Sequence, residues 1–164
     1  MIPESSNLQY ARKMLKAYFP AHEADVVRMI NLVSCSTNGN QIDEDLPRFY
    51  YIPRWADRLE AMGLVGVRRT IEYNHSVKKP LFLTTTAKAT TVEALEAICT
   101  PERFAIYQSG VKSVSAIDHL YDKLMHLKIT TDNDYIDRQM EILQDELVQY
   151  LLEFGRIGSL PEID

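Results

Sequence analysis

Apolar residues recur at helical spacing along most of this chain and at alternating spacing in one stretch only. Trp55, Leu59 and Met62 share one helical face, and Gly63 follows where a left-handed residue stops a helix. Past it, Val65, Val67, Thr70 and Ile71, then Leu81 and Leu83, lie in short runs rich in β-branched residues. Asn74, Ser76 and Pro80 separate the runs. That pattern predicts a β-hairpin, with arms over Leu64 to Tyr73 and Leu81 to Thr85 and a tip at Asn74 to Lys79.

Elsewhere the period is 3.6. Ser5, Ser6 or Asn7 is placed to cap a first helix with Leu8, Ala11, Leu15, Tyr18 and Phe19 on one side, and Pro20 ends it. A second begins near Ala21, carries Val26, Val27, Ile30 and Val33, and gives way to the breaker S-T-N-G-N. Ile42 to Leu46 leaves room for a short helix only. Pro53 suits the first turn of a helix over Arg54 to Met62. Thr84 to Thr86 is expected to cap a helix over Ala87 to Cys99, and Thr100-Pro101-Glu102 to start another that ends at Gly110. Ser115 with Asp118 resembles a capping box. It opens a helix whose Ile117, Leu120, Tyr121, Leu124 and Leu127 share a face. Thr131 to Asp134 caps the last helix. There Ile136, Met140, Leu143, Leu147, Tyr150 and Phe154 alternate spacings of four and three, a heptad seam that asks for another helix. Its partner is either the preceding helix or a second subunit, and a subunit contact is the expectation.

A helix that hands over to a basic hairpin is the core of a winged helix. The segment D-R-L-E-A-M-G-L-V, the basic wing and the return strand ending in L-T resemble the MarR and PadR groups of winged-helix regulators, over about residues 24 to 98. The resemblance implies a mainly α fold with a small β-hairpin wing (α+β). It divides the chain into an N-terminal helix (1–20), a winged-helix domain (21–99) and a C-terminal helical oligomerisation region (100–164).

Charge agrees with that division in part. The net charge is −5, yet residues 47 to 79 carry seven basic and three acidic side chains, and residues 80 to 164 carry seven and fourteen. The positive excess therefore falls on the expected helix and wing. In a dimeric winged-helix regulator Arg54 and Arg58 would face the major groove of double-stranded DNA, with Arg48, Tyr50 and Tyr51 at the approach. Arg68, Arg69, His75, Lys78 and Lys79 on the wing would meet phosphate or the minor groove. The alternative is a winged-helix adaptor like the MukE or KITE proteins of ATPase complexes, which presents the fold to protein partners. The overall acidity and the short second helix suit that reading.

Catalytic and metal patterns are not found. The six glycines form no phosphate loop, and His22, His75, His119 and His126 make no H-E-x-x-H. Asp118, Asp122 and His126 lie four apart on a face that reads as solvated. Cys35 and Cys99 lack metal-ligand spacing and read as reduced core thiols. No enzyme, cofactor or metal is expected. No apolar run is long enough to span a membrane, and Met1 to Ser6 is not a signal peptide, so the expected location is cytoplasmic.

Overall fold

The computed structural model describes residues 6–163, and among them it contains nine α-helices and no strand. The fold is all-α, which overturns both the α+β class and the resemblance to winged-helix regulators. The capping side chains expected at residues 5–7 fall outside what is described. The chain divides into two compact units, Met1–Asp57 and Arg58–Asp164.

In the first unit α1 (Ser6–Tyr18) packs on α2 (Glu23–Val33), and Glu23 accepts from Arg12 at 3.2 Å and lies 3.8 Å from Lys16. A single turn, α3 (Cys35–Asn38), is capped by Ser34, whose hydroxyl accepts from the Thr37 N–H. Residues 42–46 form no helix. Pro53 does sit in the first turn of α4 (Ile52–Ala61), as its missing N–H allows. The division between the units falls within α4.

The second unit begins with the correction that matters most. Gly63 does adopt a left-handed φ of 60°, but the residues after it form a helix, α5 (Gly63–Ser76), instead of a strand. Gly63, Val67, Thr70 and Asn74 are buried at intervals of four, three and four, with Gly66 buried beside Val67. An alternating reading puts Val65 and Val67 on one face, whereas Val65 is 57% exposed and Val67 fully buried. Helical period wins because Gly66 lets α5 turn tightly against the end of α4: a Cβ there would come within 2.0 Å of the Ala61 carbonyl oxygen. Thr70 spends its hydroxyl on the Gly66 carbonyl at 2.8 Å, as β-branched hydroxyls do inside helices.

The expected hairpin tip is the C-terminal cap of α5. The Lys79 N–H donates to the Asn74 carbonyl at 2.8 Å and the Lys78 N–H to the His75 carbonyl at 3.1 Å, a Schellman motif with Lys78 at its left-handed position (φ 55°). The expected return strand is irregular, and its carbonyls are used by another helix. Ala116 and Ile117 at the start of α8 (Ala116–Asp122) donate their N–H groups to Pro80 and Leu81, at 3.1 and 3.0 Å.

Thr91, not Thr84 to Thr86, caps α6 (Val92–Ile98), accepting from the Ala94 N–H at 3.3 Å. Thr100 caps α7 (Pro101–Gln108) and Ser115 caps α8, both as the sequence pattern predicts. Asn133 caps α9 (Asp134–Ile157), which runs through Gly155 and stops at the left-handed Gly158.

The heptad seam is closed within the chain. Helix α9 packs chiefly on α5, and Met140, Leu147, Tyr150 and Phe154 are buried by the unit's own residues, with Ile136 and Leu143 half-buried. Once residues 63–76 form a helix, α5 supplies a partner face for the seam that a wing would not. Gly155 lets the loop before α6 lie against α9, because a Cβ there would lie 1.8 Å from the Ala89 carbonyl oxygen.

Candidate functional site

The expected DNA-reading residues do not converge. Arg54 and Arg58 are each 1% exposed. Arg54 donates from Nε to the Leu32 carbonyl at 2.7 Å and from Nη1 to the Gln41 carbonyl at 2.6 Å, with its guanidinium 4.9 Å from the Tyr51 ring centroid. It thereby satisfies a carbonyl in the last turn of α2, where a cation is favoured. Arg58 donates to the Leu127 carbonyl at 3.1 Å, just past a 3₁₀ turn. Neither offers atoms to a duplex. Tyr51 is buried, and its hydroxyl accepts from the Asp43 N–H at 2.7 Å. Tyr50 donates to Asp25 at 2.5 Å, and that bond raises the phenol pKa. Arg48 is exposed in the 3₁₀ turn before α4. Arg68 reaches the Ile163 carbonyl, and His75 and Lys78 are exposed.

Two residues of that set, Arg69 and Lys79, line a cavity of about 750 Å³ in the second unit. One wall comes from α5, with Thr70, Tyr73 and Asn74, and from the turn that follows it, with Lys79. The other comes from Tyr107 of α7, the loop residues Lys112, Ser113 and Ser115, His119 of α8, and Lys123 just past its end. Among the described residues Lys79, Lys112 and Lys123 have no carboxylate partner, and the groove contains a single carboxylate, Glu72. Arg69 is shared with Glu60, whose carbonyl it meets at 3.1 Å.

The floor of the groove is held from behind. Arg103 of α7 donates to Asp122 at 2.6 Å and to Asp118 at 3.0 Å. Burial opposes its charge, but the two carboxylates outweigh burial and raise its pKa. Asp118 also accepts from Ser115 at 2.6 Å, and Asp122 from Ser113 at 2.7 Å. The Ser113 oxygen is in turn 3.5 Å from Nδ1 of His119. Asp118 and Asp122 are thus committed to Arg103, where the sequence spacing suggests a solvated face. No group of side chains suited to a metal ion occurs among the described residues.

His119 stands edge-on to the Tyr107 ring at 5.5 Å. Burial, reinforced by the charges of Lys123 and Lys79 and opposed by Asp122, pushes its pKa down to about 4, so it is neutral near pH 7. Burial likewise pushes the Cys99 thiol up to about 12, which makes it inert. Sequence reasoning overlooked Lys112, Ser113, His119 and Lys123. The available signal was the i, i+4 pair His119 and Lys123 on the helix face next to that of Asp118 and Asp122.

No family model matches this chain. It is 39% identical over 133 residues to an uncharacterized protein of Acanthamoeba polyphaga mimivirus, a match that takes in 79% of this chain and 54% of the relative. The chain therefore spans about half the length of the curated relative it matches. A crystal structure of a Lactobacillus plantarum protein superposes with a TM-score of 0.69 at 20% identity, over 96% of this chain and 69% of that one. That likeness concerns the fold alone. Among the described residues no helix is long and apolar enough to cross a membrane.

Proposed function

We propose that the protein is a binding module for a small phosphate-bearing ligand of about nucleotide size, held in the groove between α5 and α8. One observation carries the reading. In a chain of net charge −5, three lysines without carboxylate partners surround one concave cavity. Lysines gathered in this way repel one another, and an anion removes that cost while gaining charge-assisted hydrogen bonds. The volume of about 750 Å³ lies in the range of small-ligand sites. Tyr73 and Tyr107 add apolar ring surface beside the hydroxyls of Ser113 and Ser115.

A long polyanion suits the groove less well, since the overall negative charge opposes it beyond the cavity mouth. Calorimetric titration of the full chain with inorganic phosphate, a nucleoside monophosphate and duplex DNA tests the proposal. The monophosphate is expected to bind more tightly than phosphate, and Lys123→Gln to weaken it by about tenfold, equivalent to roughly 1.4 kcal/mol. Failure of both small anions to bind, or duplex binding that survives Lys79→Gln with Lys123→Gln, overturns it.

A further inference from the structure

We propose that Lys79, Lys123 and His119 form the anion subsite of this groove, that its occupant is a dianion such as a terminal phosphate monoester, and that His119 takes up a proton as the dianion seats. This rests on the preceding reading of the groove and specifies its ligand.

The three side chains are brought together by separate pieces of structure. Lys123 follows His119 by one turn of α8 and extends over the Tyr107 ring at 5.9 Å. Lys79 is delivered by the Schellman turn that ends α5, so its position is set by backbone hydrogen bonds. The imidazole is held by the edge contact with Tyr107 and by Ser113, whose hydroxyl is anchored on Asp122.

The charges facing His119 can be followed element by element. From α8 and the residue that ends it come Asp122 and Lys123, and from the turn after α5 comes Lys79. Arg69 and Glu72 of α5 and Lys112 of the loop line the same cavity. Arg103 of α7 lies behind Asp122 and is bound to it. The negative charge of Asp122 is engaged by Arg103 and Ser113, and charge on the imidazole is opposed first by burial and then by Lys123, whose effect exceeds that of Asp122, with a smaller contribution from Lys79. His119 is left neutral, with its pKa pushed down to about 4.

A dianion between Lys79 and Lys123 neutralises both and reverses the sign of the field at the imidazole. A monoanion, such as a phosphodiester, balances only one of them. With a dianion in place, protonated imidazole becomes a third donor to the ligand, and the proton comes from bulk solvent. The site therefore favours a terminal phosphate monoester over a diester near neutral pH, and its affinity for an anion that stays doubly charged rises as pH falls.

Sulfate is a suitable probe because it stays a dianion across the range used. The experiment follows the His119 ring protons by NMR in the full chain, assigned with His119→Gln, from pH 7.5 down to 4, with and without sulfate. Sulfate is expected to raise the His119 midpoint by about two units, which tightens sulfate binding about tenfold between pH 7.5 and pH 5. His119→Gln should abolish that pH dependence, and Lys79→Gln or Lys123→Gln should remove the sulfate-induced shift. In a second arm methyl phosphate is expected to bind more tightly than dimethyl phosphate. Sulfate binding that leaves the His119 midpoint unmoved, or equal affinity for the two esters, overturns this subsite and leaves the groove reading standing. No binding of sulfate, phosphate or a nucleoside monophosphate at any pH overturns both.

Discussion

Two sets of basic residues in this chain look alike in sequence and have opposite physical lives. Arg54 and Arg58 on α4 are buried, and each is turned to main-chain carbonyls: Leu32 and Gln41 for the first, Leu127 for the second. Lys79, Lys112 and Lys123 surround an open groove without carboxylate partners. The difference follows from side-chain chemistry. A guanidinium is weakly hydrated, planar and forked, so it can be buried if its N–H groups find acceptors such as the carbonyls at a helix end. An ammonium is compact and strongly hydrated, stays near water, and remains available to a ligand. Local basic excess therefore does not locate a binding surface by itself, and the kind of cation is part of the signal.

The largest expected effect breaks the structural set. Arg58→Ala removes a fully buried side chain and leaves the Leu127 carbonyl unsatisfied, so unfolding by denaturant should show a loss of about 3 kcal/mol. Arg54→Ala should lose a similar amount, through the carbonyls of Leu32 at the end of α2 and of Gln41 in the loop beyond. Phosphate affinity of the folded Arg58 variant should be unchanged. Were these arginines solvent-facing readers, each substitution would stay within about 0.5 kcal/mol.

The next effect is electrostatic and belongs to the groove. The folded pKa of His119 is about 4 against an ordinary value of 6.5, so the unfolded chain binds more protons between those values. Stability from this group is complete above about pH 6.5 and is lost as pH falls towards 4. The loss is of order 2 to 3 kcal/mol after allowance for partial exposure. His126, also lowered by burial, adds to the trend. Denaturation curves of His119→Gln at pH 7 and pH 4.5 should show a smaller difference than the parent, and sulfate should reduce the parent's own loss.

Helix caps and stops were the most legible part of the fold. Thr100 and Ser115 behave as their chemistry dictates, because a cap is a local bargain between one side chain and two or three N–H groups, and Gly63 takes the left-handed φ expected of it. Period over a short run was the least legible. Residues 64–73 are dense in valine, threonine and isoleucine, and Gly66 weakens a helix by propensity, yet the close approach of the Ala61 carbonyl at the end of α4 needs that glycine inside one. The wing and the winged-helix resemblance both depended on that stretch and changed with it. Of the candidate site only Arg69 and Lys79 were named in advance. Its other wall is assembled by Arg103 gripping Asp118 and Asp122, a long-range arrangement that spacing within one helix does not reveal.

A smaller effect concerns the turn that carries Lys79. Lys78 occupies a left-handed position usually given to glycine, at φ 55°. Lys78→Gly should therefore raise stability by about 1 kcal/mol, measured by denaturation at neutral pH. Because the Schellman hydrogen bonds persist, Lys79 keeps its place and sulfate binding should be retained. A loss of binding in this variant would mean that Lys78 itself belongs to the site.

The smallest effect on stability is the sharpest test of the contrast between the two cation sets. Replacing Lys79, Lys112 and Lys123 together by glutamine removes three like charges that face one cavity and that have no carboxylate to lose. The apolar stems keep most of their packing, so the melting temperature should stay the same or rise slightly, within about 0.5 kcal/mol of stability. Phosphate and sulfate binding should disappear in the same protein. Arg58→Ala is expected to behave in the opposite way, costing stability and sparing affinity, so the two variants together separate cations that hold the chain from cations that hold a ligand. A triple-lysine variant that unfolds, or one that stays folded and still binds phosphate, would show that the groove cations are structural too, and the distinction drawn between the two sets would fail.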